Sequence, residues 1–315
     1  MFDDINELLD GIDLDQSYKD KDLVTTALSI LIENHQLWSS GFSKGKRFVA
    51  VSCSSSNFVV PKETVLYNVI FINCNFYDSE FLGDVEYSLF LGCSFYNTQF
   101  SGNFNASLFV DCTFQDVSFP ESSFESTTFN NTKFYNVDLS GVWFSGSNFY
   151  SNTFKKVNLT KCTFSTVDML STVEASSINM DSCNLMMINS MGGVFRDICI
   201  ETSNIKGSSL KNMDIRGMSV HHTGVEDSRV ISCRFSNIRA ITSKFSEILV
   251  ISSKFNKHVI SSLLDNVDFS CVDIQENYGF KNSKFSNSSI SVVSDKIVDI
   301  KKLGIIGENN SVVAF

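Results

Sequence analysis

Histidine is the side chain that most often performs acid–base chemistry or binds metals near neutral pH. This chain has four histidines: His35, His221, His222 and His258. None stands at triad or metal-ligand spacing from an acid or a cysteine, and HExxH, P-loop and GxSxG motifs are all missing from the sequence. The sequence therefore predicts no catalytic residue, no cofactor and no small-molecule substrate.

Cysteine is the other residue type here that can bind metals or react. The chain has nine cysteines, an odd number, and no CxxC pair. This pattern favours free thiols in a reducing compartment over a disulfide framework. Cys74, Cys93 and Cys112 recur every 19 residues, and Cys162 is followed by Cys183. No histidine shares their register, so we expect ladders of packed thiols rather than a metal site.

Acidic residues dominate one stretch of the chain. From Glu63 to Lys133 there are nine acids and no base before Lys133. Carboxylates at this density predict a surface that attracts a basic partner. The candidate partner-binding residues are Asp78, Glu80, Asp84, Glu86, Asp111, Asp116, Glu121 and Glu125.

Basic residues recur further along the chain, at a spacing of five. We name this set the basic girdle: Arg229, Arg234, Arg239 and Lys244, with Lys254 following Arg234 at a distance of 20. Residues 171–290 hold as many bases as acids, which disfavours direct nucleic-acid binding. The girdle is interpreted either as solubilising charge or as a contact for an acidic partner surface.

These residues are positioned by a repeat of five residues that runs from about Phe48 to Ile290. A large apolar side chain occupies the centre of each repeat, as in Phe71, Phe76 and Phe81, or later in Phe235, Ala240 and Phe245. Two residues before each centre stands a small residue, such as Cys74 or Ser79. A period of five fits neither an α-helix nor a plain strand, so the backbone must turn once per repeat.

The repeat resembles the pentapeptide-repeat family. Val137-Asp138-Leu139-Ser140-Gly141 matches the family pattern at every place, and Val267-Asp268-Phe269-Ser270 matches closely. The resemblance covers nearly four fifths of the chain. It implies an all-β fold, a right-handed parallel quadrilateral β-helix with four repeats per coil and the central residues stacked inside.

Irregularities in the period predict local departures from this coil. The steps from Phe81 to Phe90 and from Phe100 to Phe109 are each one residue short of two repeats. Both deletions should fall on the same corner of successive coils. Residues 170–179 break the pattern and predict a kink or a projecting loop.

The ends of the chain leave the repeat, which predicts three parts. Residues 1–45 carry a net charge of −6 out of −10 and read as an acidic helical N-terminal cap, or as a docking or delivery segment. Asp3–Leu9 and Leu23–Leu37 are the predicted helices, the second with an apolar stripe of Leu23, Ala27, Ile30, Leu31 and His35. Residues 46–290 form the β-helix, and 291–315 a C-terminal cap or a homodimer contact.

The sequence predicts a non-enzymatic scaffold that binds a protein partner through flat faces. Resemblance to the quinolone-resistance members of the family implies a DNA mimic directed at a topoisomerase such as gyrase. The alternative is a bacterial effector delivered into host cells, where it binds a host protein. A polymer-acting enzyme is a remote third reading. With no membrane-spanning run and no secretory signal, the predicted location is the bacterial cytoplasm, or the host cytosol for an effector.

Overall fold

Among the residues that the structure describes, one α-helix is followed by thirty strands, most of them short. The computed structural model describes residues 25–181, 184–186, 189–201, 203–221, 223–231, 233–251, 254–275, 284–286, 289–292 and 311–314. The helix is α1 (Thr25–Ser39). The first nineteen strands are β1 (Val49–Val51), β2 (Ser54–Ser56), β3 (Val59–Val60), β4 (Val65–Tyr67), β5 (Ile70–Ile72), β6 (Asn75–Tyr77), β7 (Glu80–Phe81), β8 (Asp84–Glu86), β9 (Leu89–Leu91), β10 (Ser94–Tyr96), β11 (Gln99–Phe100), β12 (Leu108–Val110), β13 (Thr113–Gln115), β14 (Thr128–Asn130), β15 (Lys133–Asp138), β16 (Trp143–Ser145), β17 (Asn148–Tyr150), β18 (Thr153–Asn158) and β19 (Thr163–Ser165). The remaining strands are β20 (Asp168–Asp181), β21 (Asn184–Met186), β22 (Asn189–Glu201), β23 (Asn204–Lys206), β24 (Ser209–His221), β25 (Gly224–Ile231), β26 (Arg234–Ile251), β27 (Lys254–Gln275), β28 (Lys284–Ser286), β29 (Ser289–Val292) and β30 (Ser311–Ala314).

The strands stack in parallel as successive coils of a solenoid with four faces. Each coil places one central residue on each face, and the register aligns each with its equivalent in the next coil. Face A holds Ala50, Phe71, Phe90, Phe109 and Phe129. Face B holds Ser55, Phe76, Phe95, Phe114 and Phe134. Face C holds Val60, Phe81, Phe100, Phe119 and Leu139. Face D holds Leu66, Val85, Phe104, Phe124 and Phe144.

The central residues form the core. Their rings stack from coil to coil, as in Phe90 on Phe109 with centroids 4.6 Å apart and planes 2° from parallel. Rings from neighbouring faces meet edge to face, as Phe95 and Phe100 do at 5.0 Å. Offset stacks and edge contacts are both favourable for aromatic rings, and this explains why phenylalanine fills so many centres. The sequence prediction of stacked centres is confirmed.

The small residues two places before each centre also join the coils. Thr127 Oγ1 donates a hydrogen bond to the carbonyl oxygen of Phe104 (2.8 Å), and Ser122 Oγ donates to that of Phe100 (2.8 Å). Asn152 Nδ2 donates to Phe129 in the same way (2.9 Å). These buried positions therefore need a residue that is small and, in most coils, one that can donate a hydrogen bond.

The corners between faces place one residue per repeat in the left-handed backbone region. Asn73, Asp78 and Asn97 have φ of 52°, 48° and 49°. Asparagine, aspartate and glycine tolerate this conformation best, which accounts for their frequency in the repeat. Tyr87 and Lys156 adopt it as well, at 53° and 57°, because the surrounding coils impose the turn.

Both one-residue deletions fall on the corner between faces C and D, as predicted. In the shortened corners Gly83 and Gly102 are buried, and they stack directly on one another. A Cβ at Gly102 would lie 2.0 Å from the carbonyl oxygen of Gly83, and one at Gly83 would lie 2.4 Å from that of Thr64. The shortened corner therefore requires glycine.

The first coil departs from the predicted pattern of large central residues and small preceding residues. Its central residues on faces A and B are the small Ala50 and Ser55, while Phe48 and Phe58 occupy small-residue positions and are 1% exposed. The Phe58 ring lies 5.0 Å from Phe76 and 5.2 Å from Phe81. Large and small positions are thus exchanged at this end, and Phe58 covers the beginning of the phenylalanine stack.

Helix α1 packs beside β4 at the same end. It ends in a Schellman motif, with Phe42 N donating to Leu37 O (3.0 Å), Gly41 N donating to Trp38 O (2.9 Å), and Gly41 at φ +80°. The predicted apolar stripe is wrong at Ile30, which is 56% exposed, whereas Ile32 and His35 are buried. The predicted helix at Asp3–Leu9 lies outside the described residues.

The predicted irregularity near 170–179 is smaller than a projecting loop. β20 runs through this segment, and its extra residue is accommodated by a register shift between Leu170 and Val173. At the other end of the solenoid, β30 pairs with β29 and extends face A, aligning Ile290 with Val312. The sequence analysis placed residues 311–314 outside the β-helix, whereas in the structure they add a further strand to face A.

Candidate functional site

Three of the eight acidic candidates lie at corners and hold the coils together. Asp78, Asp111 and Asp116 have left-handed backbones, with φ of 48°, 54° and 56°. Their carboxylates accept hydrogen bonds from the side-chain amides of Asn97 (2.7 Å), Asn131 (2.6 Å) and Asn136 (2.6 Å), respectively. Asp78 and Asp116 share the corner between faces B and C, and Asp111 lies between faces A and B. Their local role is structural.

Two further candidates point away from the rest. Glu80 is exposed on face C, next to the central Phe81. Glu121 is exposed at the corner between faces C and D, with φ of 57°. The eight acidic residues therefore lie on several faces and corners of the solenoid.

The remaining three candidates, Asp84, Glu86 and Glu125, lie together on face D. Asp84 Oδ1 accepts a hydrogen bond from the backbone N–H of Asn103 (2.8 Å). In the same face, Asn105 donates to Glu86 Oε1 (3.4 Å), and its Oδ1 accepts from the backbone N–H of Glu125 (2.8 Å). Partial burial, with a smaller effect of the nearby Asp84 carboxylate, raises the pKa of Glu86 above its ordinary value.

Face D also carries exposed aromatic rings, which the sequence analysis missed. Trp143 is 63% exposed, Tyr67 41%, and Tyr87, on the corner between faces D and A, 56%. The rings of Tyr67 and Tyr87 are 6.3 Å apart. Tyr67 and Trp143 each adjoin a central residue of face D, so sorting residues by face would have revealed the group. We name Asp84, Glu86, Glu125, Tyr67, Tyr87 and Trp143 the face D surface.

The residues of the basic girdle are distributed around one coil. Arg229, Arg234, Arg239 and Lys244 each precede a central residue on one of the four faces of a single coil. Arg234 pairs with Lys254 in the next coil and with Asp214 in the coil before. The girdle therefore encircles the solenoid and does not concentrate charge on one face.

The cysteine ladder is present in the interior. Cys74, Cys93 and Cys112 are buried free thiols, and Cys53 extends their column by one coil. Cys112 Sγ contacts the carbonyl oxygen of Phe90 at 3.2 Å, and Cys93 Sγ contacts that of Phe71 at 3.4 Å. Burial raises the pKa of the Cys93 thiol well above its ordinary value, which keeps the sulfur unreactive. Cys183, the predicted partner of Cys162, lies outside the described residues.

The histidines are dispersed over the chain. His35 is buried at the N-terminal end, and its Nδ1 accepts a hydrogen bond from the backbone N–H of Phe48 (3.0 Å). His221 belongs to β24 and His258 to β27, while His222 is outside the described residues. Within the part of the chain that the structure describes, no three His, Cys, Asp or Glu residues are grouped as metal ligands would be.

α1 is the described helix, and it is neither long nor apolar enough to cross a membrane.

A five-residue period, four faces per coil and stacked central residues make the described part of this chain a pentapeptide-repeat β-solenoid. A family profile described as the SV2A/B/C luminal domain matches residues 101–154, well under half of the chain. No curated protein matches the sequence.

Several solved structures are similar to the solenoid. HetL, a pentapeptide repeat protein involved in heterocyst differentiation regulation from the cyanobacterium Nostoc sp. strain PCC 7120, is 10% identical, with 64% of this chain and 85% of that chain covered and a TM-score of 0.46. A trypsin-treated form of QnrB1, a plasmid-mediated fluoroquinolone resistance protein, is 16% identical over 64% and 91% of the two chains, with a TM-score of 0.26. The catalytic domain of a GH87 α-1,3-glucanase is 9% identical over 95% and 69%, with a TM-score of 0.40.

Proposed function

We propose that this chain is a non-enzymatic scaffold that binds a protein partner through the face D surface. The observation that carries the proposal is the combination of three carboxylates and two exposed aromatic rings on face D with a third exposed ring, Tyr87, at its edge. Tyrosine and tryptophan supply much of the binding energy in protein interfaces, while charged groups around them set specificity.

The solenoid holds these side chains ready for binding. Trp143 lies on a strand fixed by parallel pairing with β19 and by the stacked Phe144 beneath it. A rigid backbone loses little conformational entropy when a partner binds. Four strand spacings separate Tyr67 from Trp143, or about 19 Å, which suits a protein interface better than a small ligand.

The carboxylates indicate that the partner is basic where it meets face D. Asp84 and Glu86 share one strand, and Glu125 lies two coils further along. A partner with lysine or arginine opposite these groups gains charge complementarity, and its cations can also contact the face of Trp143.

The DNA-mimic version of this function requires a denser row of charge. Face D presents three carboxylates over two coil spacings, about 10 Å, a length on which B-DNA carries about six phosphates. This comparison supports a protein surface with a few basic residues over a DNA-binding groove. The topoisomerase and host-protein versions use the same face and differ in where the partner is found.

Affinity capture tests the proposal when it compares matched variants. The tagged full chain, Trp143→Ser/Tyr67→Ser and the control Tyr77→Ser would be used on bacterial and host-cell lysates. Tyr77 is a suitable control because it is 40% exposed but lies on face B. We expect a protein captured by the unaltered chain and by Tyr77→Ser, and lost with the face D variant.

Two outcomes separate the versions of the proposal. A partner recovered from only one lysate assigns the compartment, and a gyrase supercoiling assay with the purified chain tests the topoisomerase version directly. Capture that is unchanged by the face D substitutions, or weakened equally by Tyr77→Ser, would show that face D is not the binding surface.

A further inference from the structure

The outer side of face A carries a second hydrophobic cluster. Along a strand, side chains alternate between the two sides of the sheet, so the neighbours of the inward Phe71 and Phe90 must point outward. On face A these outward positions are aliphatic in four successive coils: Val49, Val51, Ile70, Ile72, Leu89, Leu91, Leu108 and Val110. All but Val110 belong to one hydrophobic cluster that is separate from the interior core. We name the eight residues the outer cluster.

The outer cluster is buried although it lies outside the solenoid. Ile70 has 0% of its surface exposed, Leu89 1% and Val110 3%. Outward residues at the equivalent position on face B, such as Asn75 and Ser94, are polar and partly exposed. A flat sheet shields the sides of its outward residues but not their tips, so another part of the chain must cover the outer cluster.

Among the described residues, the apolar neighbours of the outer cluster do not come from another face. The apolar side chains packed against Val49, Ile70 and Leu89 all belong to face A itself. Helix α1 contacts β4, which lies on face D. The cluster also ends abruptly, because Thr128 and Asn130 occupy its positions in the next coil. The covered strip is thus limited to the coils nearest the N-terminus.

Of the segments that lie outside the described residues, one is long enough to reach the outer cluster. Residues 293–310 join β29 to β30, and β29 is ten coil steps from Leu89 along face A, about 48 Å. A loop of about 18 residues held at both ends reaches at most about 30 Å. The other gaps among the described residues are shorter still. Residues 1–24 instead precede α1, next to the cluster, and span up to about 79 Å when extended.

We propose that residues 1–24 dock on the outer cluster through an apolar face of their own. Phe2, Ile5, Leu8, Leu9 and Ile12 recur at helical spacing, and Asp3, Glu7 and Asp10 fall on the opposite side. Docking in this orientation buries the aliphatic strip and turns the carboxylates outward. In this proposal the segment does more than cap the first coil, because it also covers the aliphatic strip on the side of the solenoid.

Hydrogen exchange followed by mass spectrometry tests this in the full chain. We expect residues 1–14 to be protected, and Ile5→Ser/Leu8→Ser to reduce that protection by about tenfold or more, since two large apolar contacts are lost. The matched control is Glu7→Ser/Asp10→Ser on the opposite side of the segment, which should keep the protection. Peptides from 131–154, which lie beyond the outer cluster, should exchange equally in all variants, which verifies that the solenoid is folded.

A second variant changes the outer cluster itself. Ile70→Ser/Leu89→Ser should release the same N-terminal peptides, whereas Asn75→Ser/Ser94→Ala on face B should not. Rapid exchange of residues 1–14 in the unaltered chain, or protection that survives both apolar variants, would overturn the proposal. Protection that rises with protein concentration together with a dimeric mass would assign the strip to a second copy instead.

Discussion

Single phenylalanine rings provide much of the packing in the solenoid interior. Phe95 is fully buried, and it stacks between Phe76 at 5.2 Å and Phe114 at 4.9 Å. Because its neighbours are held by strands on either side, they cannot collapse into the space that a smaller residue would leave. The central positions of successive repeats are therefore equivalent, closely packed sites.

Phe95→Ala should lower the free energy of unfolding by about 3–5 kcal/mol, the range for removing a large ring from a rigid core. Urea denaturation followed by circular dichroism measures this change. Tyr77→Ala, which removes an exposed ring from the adjacent coil, is the control and should cost less than about 1 kcal/mol. Similar losses in the two variants would contradict the assigned packing.

His35 is a buried titratable residue at the N-terminal end. Burial, chiefly, lowers its pKa from 6.5 to about 4; the interaction with the Tyr67 backbone opposes this shift, and Arg47 adds to it. Its Nε2 has no hydrogen-bond partner among the described residues. The His35 ring is therefore neutral in the folded state, and it is protonated more readily in the unfolded state.

This shift predicts that the N-terminal end weakens in acid. The contribution of neutral His35 is complete above pH 6.5 and is lost as the pH falls from 6.5 towards 4, by at most about 3 kcal/mol. Urea denaturation at pH 7.5, 6.0 and 5.0 measures the loss. His35→Gln keeps an acceptor for the Phe48 N–H but cannot titrate, so its stability should change less over this range. Parallel pH profiles for the two proteins would rule out His35 as the cause.

The shortened corners show how backbone elements constrain single residues. Gly102→Ala places a Cβ 2.0 Å from the Gly83 carbonyl oxygen, so the stacked backbones must separate. In Gly141→Ala the new Cβ meets nothing within 4 Å. This substitution should lower the free energy of unfolding only by the cost of a left-handed φ of +76°, about 1–2 kcal/mol.

We therefore expect Gly102→Ala to lower the melting temperature more than Gly141→Ala does. Thermal unfolding of both variants under one set of conditions makes the comparison. Equal shifts would mean that the corner at Gly102 relaxes freely, contrary to its close stacking.

At the scale of elements, the period predicted the strands but not every residue in them. The positions of the shortened corners and of the cysteine ladder could be predicted by counting residues, because each coil repeats the same geometry. The exchange of large and small residues at Phe48 and Phe58 could not be counted, since it depends on covering an end that has no preceding coil. The face D aromatic rings were missed for another reason: the acids were grouped by position in the chain, whereas faces collect residues about 20 apart.

As a whole molecule, the solenoid is a stack in which each coil contacts only its neighbours. Stability in such a molecule is approximately the sum of coil and interface contributions, so damage should spread over a limited distance. The two functional proposals use different parts of this stack: face D for a partner, and the outer side of face A for residues 1–24.

Local stability can be followed coil by coil in the variant Phe95→Ala. Phe95 lies in β10, which pairs with β6 and β13, and its ring also contacts Phe81, Phe90 and Phe100. Hydrogen exchange should therefore accelerate most in peptides covering residues 71–115. Peptides from 144–165, two coils further along, should retain most of their protection, because no described contact links them to Phe95. Equal acceleration in every coil would show instead that the solenoid unfolds as one cooperative unit, and that a partner bound on face D would stabilise the outer side of face A as strongly as its own coils.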